Sequence, residues 1–125
     1  MKIAIGGQLN KNEIKEEILK NSTKEVFVEI FTDTDAAAKV KSGEFDYYVG
    51  ACQSGAGGAL GMAYALIGRE KCVTIAMAGI KPKQNKVDQA VKNGAKAFGF
   101  TNDQVDNAIP MLIAALEGRS VWFVS

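Results

Sequence analysis

Short apolar runs alternate along this chain with segments that are amphipathic or flanked by capping residues, and the alternation predicts a repeating strand-then-helix unit. Lys2 to Gly6 (KIAIG) reads as a buried first strand that turns at Gly6-Gly7-Gln8. Asn10, with Glu13 three residues on, makes an N-cap and its partner. Ile14, Ile18 and Leu19 then form an apolar stripe against Lys11, Lys15, Glu16, Glu17 and Lys20, the mark of a half-buried helix. Glu25 to Phe31 is the second strand, and Thr32 with Asp35 opens a helix that runs through Lys41 and stops at Ser42-Gly43. Phe45 to Ala51 is the third strand. The helix after it, Ala59 to Ile67, is apolar nearly all round, which predicts burial against the sheet or in a subunit interface and makes a homo-oligomer the expectation.

Cys72 to Met77 (CVTIAM) is the fourth strand, and Lys83 to Asn93 the fourth helix, ended by Gly94 as its C′ residue. Ala97 to Phe100 is the fifth strand. Thr101 and Gln104 are spaced as a capping box for a last helix with Val105, Ile109, Leu112 and Leu116 on one face; Pro110 inside it is expected to kink or divide it. Val121 to Val124 reads as a short tail with the composition of an edge strand. The whole predicts one α/β domain over residues 1–125, a three-layer α/β/α sandwich around a five-stranded parallel sheet of Rossmann-like or flavodoxin-like kind. Ligands of such sheets collect at the carboxyl ends of the strands, where the strand order reverses.

One stretch breaks the rhythm. Tyr47 to Gly68 (YYVGACQSGAGGALGMAYALIG) holds 22 residues without a charge. The length suits a membrane span, but six of the residues are glycine, and Cys52 to Gly58 has no large apolar side chain to face lipid. Strand, glycine loop and helix is the better description. Such a loop gathers backbone N–H groups at a helix entry, the usual arrangement for a phosphate or other anion. The expected ligand set is Gln53, Ser54, Gly55, Ala56, Gly57 and Gly58, with Gly7 and Gln8 on the same sheet edge and Lys81 adding charge from the next strand end. Two plainer readings stay open: the glycines serve only a tight turn and close packing, and Lys81 is a solvated loop lysine.

Composition narrows the chemistry. Fifteen basic and fourteen acidic residues are scattered along the chain and leave a net charge of +1, so there is no electrostatic footprint for nucleic acid. Met1-Lys2 leads into a strand far too short for a signal peptide, and a cytoplasmic location is expected. There is no histidine, which removes Ser-His and Cys-His pairs and imidazole ligation; with only Cys52 and Cys72 as thiols, neither a metal site nor a disulfide framework is expected. Gly55 to Gly61 matches GxGxxxG, yet it follows the third strand, and the next strand ends Met77-Ala78-Gly79 without the acidic residue a dinucleotide ribose needs. No cofactor is expected. Cys52 stands at a strand end before a helix entry, where amide dipoles favour the thiolate; it is the candidate nucleophile or base, against the plain alternative of a small core residue. Cys72 opens a strand on the opposite edge and reads as core.

Two resemblances carry the reading further. DYYVGACQSGAGGALGMA resembles the cysteine and glycine loop of the ribose-5-phosphate isomerase B and galactose-6-phosphate isomerase family. That likeness implies Cys52 as a base in sugar-phosphate isomerisation, with Ser54, Gly55 and Gly57 in the anion loop. It covers about twenty residues, and the histidines of that family have no counterpart here. AAAKVKSGEFDYYVGACQSGAGGAL, TIAMAGIKPK, KAFGF and DNAIPMLIAAL are similar, over most of the chain, to a small bacterial family of unassigned function, the YhfU-like proteins. This second likeness implies a short cytoplasmic protein encoded near a membrane transporter and enzymes of sugar or amino-acid metabolism. Three functions therefore stand side by side: binding of a small anionic metabolite, a sugar-phosphate isomerase using Cys52, and a soluble accessory subunit or regulator of a membrane transporter.

Overall fold

Strands covered on both faces must be apolar at nearly every position, and KIAIGG, YYVGAC and AFGFT meet that demand. These segments form the centre of the sheet in a computed structural model that describes residues 1–53 and 59–119. The elements run β1 (Lys2–Gly7), α1 (Lys11–Asn21), β2 (Phe27–Ile30), α2 (Asp33–Lys41), β3 (Tyr47–Cys52), α3 (Gly61–Leu66), β4 (Cys72–Ala76), α4 (Gln84–Lys92), β5 (Ala97–Thr101) and α5 (Val105–Leu116). All pairings are parallel, in the order β2-β1-β3-β5-β4. The first three positions follow the flavodoxin-like order; the last two are exchanged.

Strand alternation sorts the core into two halves. Ile3, Ile5, Val49, Phe98 and Phe100 face α1, α4 and α5 with Ile14, Ile18, Val87, Ile109 and Leu112. Ala4, Tyr48 and Ala97 face α2 and α3 with Ala36, Ala37, Val40, Leu60 and Ala63. The sandwich is thus three-layered, with its smaller side chains on the α2–α3 side.

Local signals fared unevenly. Thr32 caps α2 as expected, its hydroxyl accepting from the Asp35 N–H at 3.2 Å. Gly94 follows the end of α4 with φ +92°, the left-handed conformation a C′ residue requires. Asn10 does not cap α1: it is itself left-handed (φ 57°) and its side chain donates to Glu13 at 2.8 Å. Thr101 and Gln104 form no capping box either, because a 3-10 turn at Asn102–Gln104 intervenes before α5. Pro110 lies within a continuous α5 and does not divide it. The donor it lacks would have met the carbonyl of Asp106, an exposed residue whose carbonyl water can serve. The third helix has six residues rather than the expected nine, and only Ala63 within it is buried. The tail at 121–124 lies outside the described residues.

Candidate functional site

The connection after β1 leads to α1 on one face and the connection after β3 to α3 on the other, so the sheet changes direction between these neighbours. Their carboxyl ends are where a doubly wound sheet leaves a crevice. On the α2–α3 face the strands here carry Gly6 in β1, Tyr48, Gly50 and Cys52 in β3, and Gly99 and Thr101 in β5. The small residues make room for one large one. A Cβ on Gly6 would lie 2.5 Å from Cε2 of the Tyr48 ring, and one on Gly50 would lie 3.0 Å from its hydroxyl.

Tyr48 is fully buried, and its hydroxyl meets two acceptors: it contacts Asp33 Oδ1 and lies 2.7 Å from the carbonyl of Ala59. Asp33 Oδ1 also accepts the Gly7 N–H at 3.2 Å. One phenol thereby links β1, the first turn of α2, β3 and the approach to α3. Burial, reinforced by the hydrogen bond to Asp33 and that carboxylate's charge, pushes the Tyr48 pKa up. The group is a neutral donor, not a phenolate.

The β1 turn offers no amides to a ligand. Gly7 donates to Asp33, while Gln8 and Leu9 both donate to the Ala51 carbonyl, at 3.0 and 3.2 Å. Gly7 itself is left-handed (φ +71°), and a Cβ there would stand 2.7 Å from the Ala51 nitrogen, so its role is close packing of β1 on β3. What this turn presents outward is the exposed side chain of Gln8.

Cys52 is 1% exposed and pairs in register with Thr101 of β5. Gln53 is exposed just beyond it. Ser54, Gly55, Ala56, Gly57 and Gly58, the expected anion loop, lie outside the described residues. Lys81 is not brought to this cluster: it follows β4, the edge strand on the far side of β5, and lines a trough with Met77, Ile80, Lys83 and Lys86. Among the described residues no group of three or more Cys, Asp or Glu could hold a metal ion, and no helix is long and apolar enough to cross a membrane.

Tyr48 is the residue that site-reading from sequence passes over; Thr32-Asp33 and Thr101-Asn102 are expected on this edge from their places at the ends of the second and fifth strands, without a part in binding. A signal existed for Tyr48, since Gly6 and Gly50 are residues without side chains in otherwise filled core strands.

No solved structure matches the chain. Curated relatives do: the protein YhfU, described as uncharacterized, of Escherichia coli strain K12 is 45% identical over 116 residues, covering 93% of this chain and 98% of its own length. The YhfU protein of Shigella flexneri matches with the same identity and coverage. With residues 1–116 also matching the family described as "Protein of unknown function DUF2620", the chain belongs to that family.

Proposed function

We propose that this protein binds a small anionic metabolite at the carboxyl edge of the sheet, over the end of β3. The observation that carries the reading is the reversal of the chain's direction between β1 and β3, at the point where the charge-free glycine segment leaves β3. Electrostatics refine where the negative group would rest. The Asp33 carboxylate occupies the end near β1, where its negative charge disfavours a second anion. An anion is therefore better accommodated toward α3 than over β1, with donors drawn from Gln53 to Gly58. The Tyr48 network would act as a rigid wall of this site, since it ties together the elements around it.

A thermal-shift series with inorganic phosphate, ribose 5-phosphate and AMP at millimolar concentration tests the reading. A ligand present at ten times its Kd adds about 1.4 kcal/mol to stability, enough for a measurable rise in Tm. A flat response to all three compounds rejects it.

A second reading gives Cys52 the role of base in a sugar-phosphate isomerisation, and its place on the same edge, in register with Thr101, favours keeping it. Cys52→Ala should then abolish conversion of ribose 5-phosphate while the Tm stays within a few degrees of wild type. Unchanged turnover removes the thiol from the chemistry.

A further inference from the structure

β4 differs from the strands it continues. β5 covers one of its edges, and among the described residues no strand lies beyond the other. Where β1, β3 and β5 are buried at almost every position, Cys72 to Ile75 are all half-exposed. Beside them, on the α4 side of the sheet, a trough of about 270 Å³ runs past Val73, Ile75 and Val87. An edge of this kind carries backbone N–H and C=O groups with no partner strand, which is the template for one strand more.

The far end of the trough is rigidly built. Met77 and Ile80 bond each other in both directions, N–H to carbonyl, at 3.1 and 2.9 Å around a left-handed Gly79 (φ +74°), and the Gln104 side chain donates to the Met77 carbonyl at 3.1 Å. The turn thus holds Ile80 outward, 60% exposed, next to an exposed Met77, while Pro82 just after it is buried. Fixing two large apolar side chains outside forgoes the stabilisation that burial would give them. Contiguous with an apolar trough, they make a patch of the kind that marks a contact surface.

The charge around that patch has one sign. From Lys71 to Val87 the chain holds four lysines and no acid, and Lys81, Lys83 and Lys86 rim the trough. The two ion pairs among the described residues, Lys39 with Glu44 and Arg119 with Glu117, lie elsewhere. A second copy of this chain docking edge to edge would bring two such rims together, and like charges oppose that pairing. An acidic strand meets the same rim with attraction. We propose that the β4 edge is the docking site for an extended, acidic segment of a partner protein, which adds a strand beside β4 with its apolar side chains in the trough and its carboxylates on Lys81, Lys83 and Lys86. The register of β4 on β5 shifts between Thr74 and Ala76, so the added ladder is regular along Cys72 to Thr74 and gives way to side-chain contacts with Ile75, Met77 and Ile80. This docking is independent of metabolite binding at the end of β3, since β5 stands between the two places.

The test titrates the full chain, followed by two-dimensional amide NMR at low salt, with the end-blocked peptide Asp-Glu-Val-Thr-Val-Thr-Val-Asp-Glu. One control peptide has lysine for every acid, and another has proline for the central valine. The acidic peptide should move the amide signals of Cys72 to Met77 and of Ile80, more weakly as salt is added, and the lysine peptide should leave them in place. Combining Lys81→Glu, Lys83→Glu and Lys86→Glu, all at exposed positions, should cost about tenfold in affinity for the acidic peptide and create binding of the lysine peptide. The proline peptide, short of one ladder donor, should bind more weakly than its parent. Equal binding of the proline peptide overturns the proposal, because ion pairing without an added strand would then suffice. An acidic peptide that leaves β4 unmoved, or moves signals elsewhere instead, overturns it as well. So do β4 signals that shift with protein concentration and not with peptide, which would assign the edge to a second copy.

Discussion

A phenol with one proton and two acceptors is an economical way to fix four segments, but it makes the surrounding positions intolerant. Tyr48→Phe keeps the ring and removes the hydroxyl, leaving the Ala59 carbonyl buried without its donor. The expected loss is about 1–3 kcal/mol, read from chemical denaturation with an unchanged m-value. Gly6→Ala attacks the same network from below, since the added methyl must enter space held by the ring at 2.5 Å and by the Ala36 methyl at 2.9 Å. Overpacking of that kind costs on the order of 1–3 kcal/mol. A Gly6→Ala protein as stable as wild type would mean that the tyrosine ring moves freely, and the idea of a rigid wall would fail with it.

Elements are joined here by carboxylates as much as by packing, and Glu117 is the clearest case. Its buried carboxylate, just past the end of α5, accepts from the Thr23 N–H at 3.0 Å, the Thr23 hydroxyl at 2.9 Å, the Lys24 N–H at 3.1 Å and Arg119 at 2.5 Å. Arg119 in turn donates to the Asn21 carbonyl at 2.6 Å, so the end of α5 is sewn to the connection between α1 and β2. Burial alone would raise the Glu117 pKa; the bonds from Arg119, Lys24 and Thr23 outweigh it and hold the group at about 2, below its ordinary 4.5. A lowered native pKa means that the unfolded chain takes up the proton first. The stabilisation is therefore complete above about pH 4.5 and is lost as the pH falls from there toward 2. Glu117→Gln should lower stability at neutral pH and flatten the acid limb of the curve of Tm against pH. An unchanged acid limb in that variant would assign acid unfolding to other carboxylates. Little of this was readable beforehand. A carboxylate just after a helix gives no hint that its partners lie 93 and 94 positions away, whereas Thr32 and Gly94 could be read because cap and helix are neighbours in sequence. Asn10 and Thr101 show the limit of that rule: each has the right residue at the right spacing, and in each the tertiary setting chose another conformation.

At the level of the whole molecule, the period of the apolar runs was enough to give five parallel strands and their helices, because hydrophobic burial is written into every position. Strand order was not, since nothing in a run of apolar residues says which neighbour it will meet, and the placement of β5 between β3 and β4 is what moved Lys81 away from the expected site. Among the described residues that placement leaves β4 and β2 as the two edges, and the chain treats them differently. On β2 the exposed Phe27 leans on Phe45, with ring centres 5.9 Å apart, and has the Lys2 ammonium 5.6 Å from its centre. On β4 a trough of about 270 Å³ runs along Val73 to Met77, flanked by Ile80, itself 60% exposed, and rimmed by Lys81, Lys83 and Lys86. An apolar edge with unpaired backbone is a template for pairing with another chain, and charged lysines are the common means of keeping such edges apart. Replacing Lys81, Lys83 and Lys86 together with serine removes three positive charges from the rim and leaves the apolar floor in place. Sedimentation velocity over a concentration series should then show association of the triple variant beyond that of wild type, suppressed again by Ile80→Lys in the same background. Identical profiles for wild type and triple variant would mean that the shape of the β4 edge, rather than its charge, prevents pairing.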